Sequence, residues 1–274
     1  MRVQKVKRGI LYALLILISV IMLLPLWAGI MTSFKTAEDL ILTNPLQPPN
    51  SPTLENFAET FSIMQRPLLN SLIFTTISMI LSCFLGSVCG FVLTKIKFKG
   101  SNTVFLVLII GIFIPYQAVL VPLVLTMVNL GIYNTIWGLI LTHTAYGIPM
   151  CTLLFRSFYD GVPDSLIRAA KTDGAGTWTI YRRIILPISL MPFVVASVFQ
   201  FTSIWNDFLF GLVIARGTEA MPASVALANL SGGFVALWNL QMAGTLWYTL
   251  PVLIVYLTLG KYLIKGFMTG AVKG

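Results

Sequence analysis

Charged side chains are scarce in this chain of 274 residues. Asp, Glu, Lys and Arg make up 10% of it, while hydrophobic residues make up 57%. A globular domain in water carries roughly 25% charge. So few charges cannot cover the surface of a soluble protein of this size, so the outside must lie in lipid. The apolar content excludes disorder, and three Cys in the whole chain exclude a disulfide scaffold. Cys83, Cys89 and Cys151 fall in apolar stretches and read as small filler. The single histidine, His143, excludes a multi-His metal site and reads as a hydrogen-bonded core residue. A P-loop is also missing: Gly260-Lys261 lacks the upstream Gly and the following Ser or Thr. No metal or cofactor is therefore expected in this chain.

What is there are long runs without charge. Between Arg8 and Lys35 lie 26 uncharged residues, between Arg66 and Lys95 28, and between Lys99 and Arg156 56. Asn129-Leu-Gly-Ile-Tyr-Asn134 divides the last of these with turn chemistry. Between Arg183 and Asp207 lie 23, and between Glu219 and Lys261 41. The first half of that final run holds Pro222, Asn229, Ser231, Gly232 and Gly233, which predicts an irregular or re-entrant piece. A membrane helix needs about 20 apolar residues. The runs predict an all-α membrane protein with six spans, near 9–34, 67–94, 102–127, 135–156, 184–214 and 241–264. The first run is too long for the apolar part of a signal peptide and no small-residue cleavage site follows it, so it reads as a retained helix.

Basic residues concentrate on one side of this map. With the N-terminus in the cytoplasm, 15 of the 18 Lys and Arg fall inside, and only Lys35, Arg66 and Arg216 fall outside. The positive-inside rule therefore predicts both termini inside. The net charge of +9 faces the cytoplasmic leaflet, and no nucleic-acid partner is needed to explain it. The expected organisation is an N-terminal arm with the first span (1–34), an extracytoplasmic loop (35–66), a core (67–268) carrying a cytoplasmic loop (157–183), and a cytoplasmic tail (269–274). The outer loop contains Asn44-Pro-Leu-Gln-Pro-Pro-Asn-Ser-Pro52, which cannot be regular helix.

The inner loop contains Gly161-Val-Pro-Asp-Ser-Leu-Ile-Arg-Ala-Ala-Lys-Thr-Asp-Gly-Ala-Gly-Thr-Trp178. Pro163 suits the first turn of a helix, and Asp164 or Ser165 can satisfy its free N–H groups. Leu166, Ile167, Ala169 and Ala170 favour a short helix, and Gly174 suits its C-terminal stop. Small Ala169 and Ala170 would let this helix approach another protein closely. An ordinary amphipathic interfacial helix fits the same residues.

The order of the parts resembles the cytoplasmic coupling loop of permease subunits of ATP-binding-cassette importers. The resemblance rests on Arg168-Ala169-Ala170, Asp173-Gly174-Ala175 and Ile184-Ile185-Leu186-Pro187. Asn70-Ser71-Leu72, Lys97-Phe98-Lys99-Gly100, Trp205-Asn206-Asp207-Phe208 and Gly270-Ala-Val-Lys-Gly274 are similar to the sugar-importing branch of maltose-system type. The resemblance implies the type I importer permease fold in the cytoplasmic membrane of a prokaryote. It also implies a second homologous permease, two ATPase subunits that bind Mg-ATP, and an extracytoplasmic sugar-binding protein. Pro163, Leu166, Arg168, Ala169, Ala170, Asp173, Gly174 and Ala175 would contact an ATPase, and Gly270, Lys273 and Gly274 would reach between the two. The family usually has Glu where this chain has Arg168, which reverses one interface charge.

Polar residues within the predicted spans give a second set of candidates. Asp207 is the only acid the span map places in the membrane, where such residues usually face a cavity. It could instead sit near the outer interface, bonded to backbone where the helix breaks. If Trp205, Asn206 and Asp207 face the translocation path, they offer a sugar an aromatic face and hydrogen-bond partners. Gln117 and Gln200 are of the same kind. Ser82, Gly86 and Gly90 form a ladder of small residues that permits close packing, within the subunit or against a partner. Two rivals to an ATP-driven importer subunit, itself not an enzyme, remain. A proton-coupled secondary transporter would use Asp207, but no internal repeat accompanies it. A membrane enzyme would need a constellation of acids, His or Ser–His, which one His and one Asp do not supply.

Overall fold

The computed structural model describes residues 2–96, 98–230 and 237–271, with side chains for 7–96, 98–230 and 237–262. The described residues form helices and no strand. The chain divides into two compact units, 1–65 with 226–249, and 66–225 with 250–274.

The first unit holds α1 (Arg2–Ser33), α2 (Ala37–Leu42), the start of α3 (Glu55–Lys95) and the start of α13 (Trp238–Ala271). The side chains of α1 from 7 to 27 are all exposed. An apolar helix of this kind needs lipid or protein around it, because its backbone is satisfied internally and its side chains are not wetted. The segment after α1 is pinned by amides. Asn56 Nδ2 donates to the carbonyls of Ser33 (2.9 Å) and Lys35 (2.8 Å), and Asn239 Nδ2 donates to Asn56 Oδ1 (3.0 Å). Asp39 accepts from Asn50 Nδ2 (2.9 Å) and the Ser51 N–H (3.1 Å), which holds the proline-rich stretch in place.

The segment expected as an outer loop is helical in part. Residues 55–66 are the first turns of α3, whose 41 residues run through Pro67. At 1.5 Å per residue α3 is about 60 Å long, roughly twice the hydrocarbon thickness.

The second unit holds the rest of α3, then α4 (Ser101–Phe113), a 3₁₀ turn (Tyr116–Val119), α5 (Leu120–Asn129) and α6 (Ile136–Asp160). These are followed by α7 (Asp164–Thr172), α8 (Thr177–Ile180), a π-helical turn (Tyr181–Ile185), α9 (Leu186–Ile188), α10 (Leu190–Trp205) and α11 (Leu209–Ile214). α12 (Ala223–Asn229) follows α11.

Two expected spans are not straight helices. The third is broken between α4 and the Tyr116–Asn129 piece, with a bend of 93°. Pro115 has no N–H and forces Ile114 out of helical geometry (ψ 119°). The fifth begins at Thr177, bends by 77° at Ser189 and ends at Trp205, short of the expected 214. Pro187 and Pro192 flank that bend and remove donors on both sides. Four continuous helices can span a membrane, and six spans result when each bent pair counts as one. The expected irregular piece after Glu219 contains the short helix α12 and a stretch, 231–236, outside the described residues.

The ladder of small residues is settled as internal packing. A Cβ added at Gly86 would lie 2.3 Å from Cys151 Cβ, and one at Gly90 would lie 2.9 Å from the Arg156 nitrogen. One added at Gly147 would lie 2.6 Å from Ser82 Cβ. The pairs 82/147, 86/151 and 90/155 advance four residues at a time on both helices, so α3 and α6 run parallel and in register. Without side chains in the way, the backbones come close enough for continuous van der Waals contact, which is what holds helices together in lipid.

Candidate functional site

The loop around 161–180 is a hairpin of two short helices, α7 and α8. Pro163 is the N-cap of α7, with extended ψ (130°), and Asp164 occupies the first turn. After α7, Gly174 adopts φ +81°, a left-handed conformation open to glycine at no steric cost. The Asp173, Gly174 and Ala175 N–H groups close the end by donating to the carbonyls of Ala169, Lys171 and Ala170.

One face of α7 is committed inward. Ile167 and Ala170 are buried in a cluster with Tyr159, Val162, Ile180, Tyr181 and Ile185. Ala170 packs on its own chain, so of the two small residues Ala169 is the exposed one. Pro163, Leu166, Ala169 and Asp173 form an exposed strip flanking that buried face, and Arg168 is exposed on the far side. Leu166 is 40% exposed and Ala175 half-buried. This is a small apolar strip bordered by charge.

Three features fix this hairpin to the spans, and sequence reasoning missed them. Lys95, at the end of α3, donates to the Val162 carbonyl (2.6 Å) and pairs with Asp164 Oδ1 (2.8 Å). Ser87 Oγ lies 2.6 Å from Tyr159 Oη and 2.9 Å from Tyr181 Oη, and Ser189 donates to Tyr159 Oη (3.1 Å). That buried hydroxyl node ties α3, α6, the π-helical turn and the bend before α10 together. Finally, Trp178 stacks on Tyr181 at 5.4 Å and stays 57% exposed. A tryptophan within a polar loop was the one visible signal for it.

The five expected pathway residues are not gathered on one surface. Trp205 is 1% exposed and stacks on Phe201. Gln200 is buried and donates to the Gly147 carbonyl (3.3 Å), so it knits α10 to α6. Asn206 is exposed and its Nδ2 bonds back to the Thr202 carbonyl (2.9 Å). Asp207 lies in the turn beyond α10, where its Oδ2 accepts from the N–H groups of Phe210 (3.0 Å) and Gly211 (3.4 Å). Its expected place inside a continuous span is corrected to a helix break, the backbone-bonded alternative. Gln117 is exposed in the 3₁₀ turn of the broken third span.

An aromatic group surrounds that turn and α11. Tyr116 and Tyr146 both meet Phe210, at 5.5 and 5.0 Å between ring centroids. His143 packs between Phe74 (5.6 Å, stacked) and Phe210 (5.6 Å, edge-on), with Nε2 3.8 Å from Asp207 Oδ2. It is a core residue, though its Nε2 has no hydrogen-bond partner among the described residues. The exposed parts of Tyr116 and Tyr146, not Trp205, supply the aromatic surface next to Gln117.

A family model described as "Binding-protein-dependent transport system inner membrane component" matches residues 82–268, from the small-residue ladder through the hairpin into α13. The chain belongs to this family. It is 52% identical to a probable ABC transporter permease protein of Pyrococcus horikoshii, over 97% of this chain and 98% of that one. It is 36% identical to the xylose/arabinose import permease protein XacI of Haloferax volcanii, over 95% and 92%. In three dimensions it is similar to a chain of a bacterial ABC transporter involved in the import of the acidic polysaccharide alginate. The TM-score is 0.81, at 17% identity and covering 96% and 98%. The chain is thus a transmembrane permease component with the all-helical importer fold.

Proposed function

We propose that this permease is the membrane subunit of an ATP-driven carbohydrate importer. It forms half of the translocation path and pairs with a second, homologous permease. Two separate ATPase subunits bind and hydrolyse Mg-ATP, and this chain carries no cofactor and no catalysis of its own. The observation that carries the reading is α7. A nine-residue helix with one face packed on its own bundle and an exposed Pro163–Leu166–Ala169–Asp173 strip is built to transmit a push. Arg168 meets a compensating acid on the ATPase, and Ala175 and Gly174 shape the far end of the contact. The tail residues Gly270, Lys273 and Gly274 are the proposed contacts with the ATPase pair; Lys273 and Gly274 lie outside the described residues.

Both termini face the cytoplasm of a prokaryotic cell, since that orientation keeps most Lys and Arg inside. A soluble extracytoplasmic protein delivers the sugar to the opposite face. Closure of the ATPases on ATP pushes α7 and switches the path from inward-open to outward-open. The import of xylose and arabinose by a relative supports a sugar cargo. Tyr116, Tyr146 and Gln117 offer such a cargo ring faces and an amide.

Co-purification from native membranes tests the reading. Recovery of a stable assembly containing a second permease and ATPases, with a sugar on the accompanying binding protein, is expected. A stable assembly without any ATPase would overturn it. The proton-coupled alternative relies on Asp207, whose carboxylate is engaged in capping α11.

A further inference from the structure

Lys35 is one of only three basic residues on the outer side of the proposed orientation, and it is buried to 1% exposure. An ammonium group taken out of water is costly unless it is paired and its donors are used. Lys35 Nζ donates to a single recorded acceptor, the Asn44 carbonyl oxygen at 2.7 Å. Among the described residues no carboxylate lies within 4.0 Å of it. Of the two acids that follow it in sequence, Glu38 is exposed and Asp39 is spent on Asn50 and Ser51. An ammonium has three donors, so charge and hydrogen-bonding capacity are left over.

That surplus borders a cavity of about 270 Å³, lined by Gly29, Thr32, Lys35, Thr43, Trp238 and Met242 among others. Thr32 is buried and lines the same cavity, which adds a hydroxyl to its wall. The cavity lies where two apolar helices reach their polar ends, α1 at Ser33 and α13 at Trp238. Leu26, Trp27, Leu237 and Trp238 are exposed around it, at 53%, 47%, 40% and 53%. Tryptophans favour the headgroup level of a bilayer, and exposed leucines beside them favour acyl chains.

We propose that this cavity binds the phosphate group of a membrane lipid, with Lys35 as its cation and Thr32 as a hydrogen-bond donor. The phosphate takes the unspent N–H donors of Lys35 in charge-assisted bonds. The glycerol region lies over Gly29 and Met242, and the acyl chains run down the exposed face of α1. The site would hold lipid against α1, whose side chains from 7 to 27 are exposed. The proposal rests on the membrane embedding of the chain and not on the identity of its cargo.

The test uses the complete complex in neutral detergent and measures thermal stabilisation by added short-chain phosphatidylglycerol. Diacylglycerol and inorganic phosphate serve as separate arms. The phospholipid is expected to stabilise the complex and diacylglycerol is not. Lys35→Met, which keeps the length and loses the charge, is expected to weaken the phospholipid effect about tenfold or more. Inorganic phosphate stabilising as well as the phospholipid would overturn the lipid source. Undiminished phospholipid binding by Lys35→Met would overturn the site itself. A cross-link from Lys35→Cys to another protein chain would show that a protein group fills the cavity, and would overturn the proposal too. If Lys35→Met fails to assemble, Thr32→Val decides: affinity equal to that of the unaltered protein overturns the proposal, and a loss supports it.

Discussion

Lys95 Nζ sits 2.8 Å from Asp164 Oδ1 and 2.6 Å from the Val162 carbonyl oxygen, so the last residue of α3 holds the first turn of α7. The two partners differ in weight. Asp164 is half exposed, so the ion pair contributes a few tenths of a kcal/mol, whereas the bond to the buried-side carbonyl contributes about 1 kcal/mol. Asp164→Asn should therefore leave coupling nearly intact, and Lys95→Met should lower sugar transported per ATP hydrolysed. Both variants can be followed in proteoliposomes with the native ATPases. Equal behaviour of the two would contradict this division.

Gly86 and Gly90 tolerate no Cβ, because the backbone of α6 occupies the space. Gly86→Ala and Gly90→Ala should each destabilise the permease by about 1–3 kcal/mol through overpacking. Gly111 in α4 has nothing within 4 Å, so Gly111→Ala should be neutral or slightly stabilising. Melting temperatures in one detergent compare the three; a harmless Gly86→Ala would mean that α3 and α6 do not pack this closely.

The hydroxyl node predicts non-additive energies. Tyr181→Phe leaves Ser87 bonded to Tyr159, and Ser87→Ala leaves both phenols short of a partner. Ser87→Ala should cost about 1–3 kcal/mol and Tyr181→Phe less. The double variant should cost less than the sum, since both remove the same bond. Strict additivity in denaturant unfolding would place these groups apart.

Asp207 accepts backbone N–H groups at the start of α11. An amide oxygen can do the same, so Asp207→Asn should keep ATP-driven uptake and its pH profile. Asp207→Ala should lose about 1 kcal/mol of stability with the cap. Uptake abolished by Asp207→Asn, with folding intact, would favour proton coupling over ATP.

Arg168 is exposed on the outer rim of α7 and makes no hydrogen bond to the described residues through its side chain. Arg168→Glu should reduce the ratio of transport to hydrolysis with the chain's own ATPase, by setting two acids against each other. An unchanged or improved ratio would mean that no acid of the ATPase meets this position.

Membership of the helical class, apolar runs that become four to six candidate spans, and the short helix α7 (Asp164–Thr172) were all legible along the chain. Each follows from local quantities: apolar runs of sufficient length, Pro163 at a helix start, Gly174 at its end. The two broken spans were less legible. Pro115 and Pro187 were visible, but a proline in a membrane helix either kinks it slightly or ends it, and neighbouring side chains decide which. Trp205 and Gln200 were misleading because residue type gives chemistry without direction: both turned inward to pack, while Tyr116 and Tyr146 supplied the exposed rings.

The sequence alone determined that this protein lives in a membrane and carries one short helix between two of its crossings, because hydrophobic length and helix capping are read within a few residues. Tertiary structure alone decided which face of α7 is free, that α3 and α6 run parallel in contact, that Ser87 joins two tyrosines, and that Lys35 is buried beside a cavity. Those facts depend on contacts between residues far apart in the chain, such as Ser87 with Tyr181 and Lys95 with Asp164. Periodicity and composition carry no record of such pairs; the packing of one helix against another creates them.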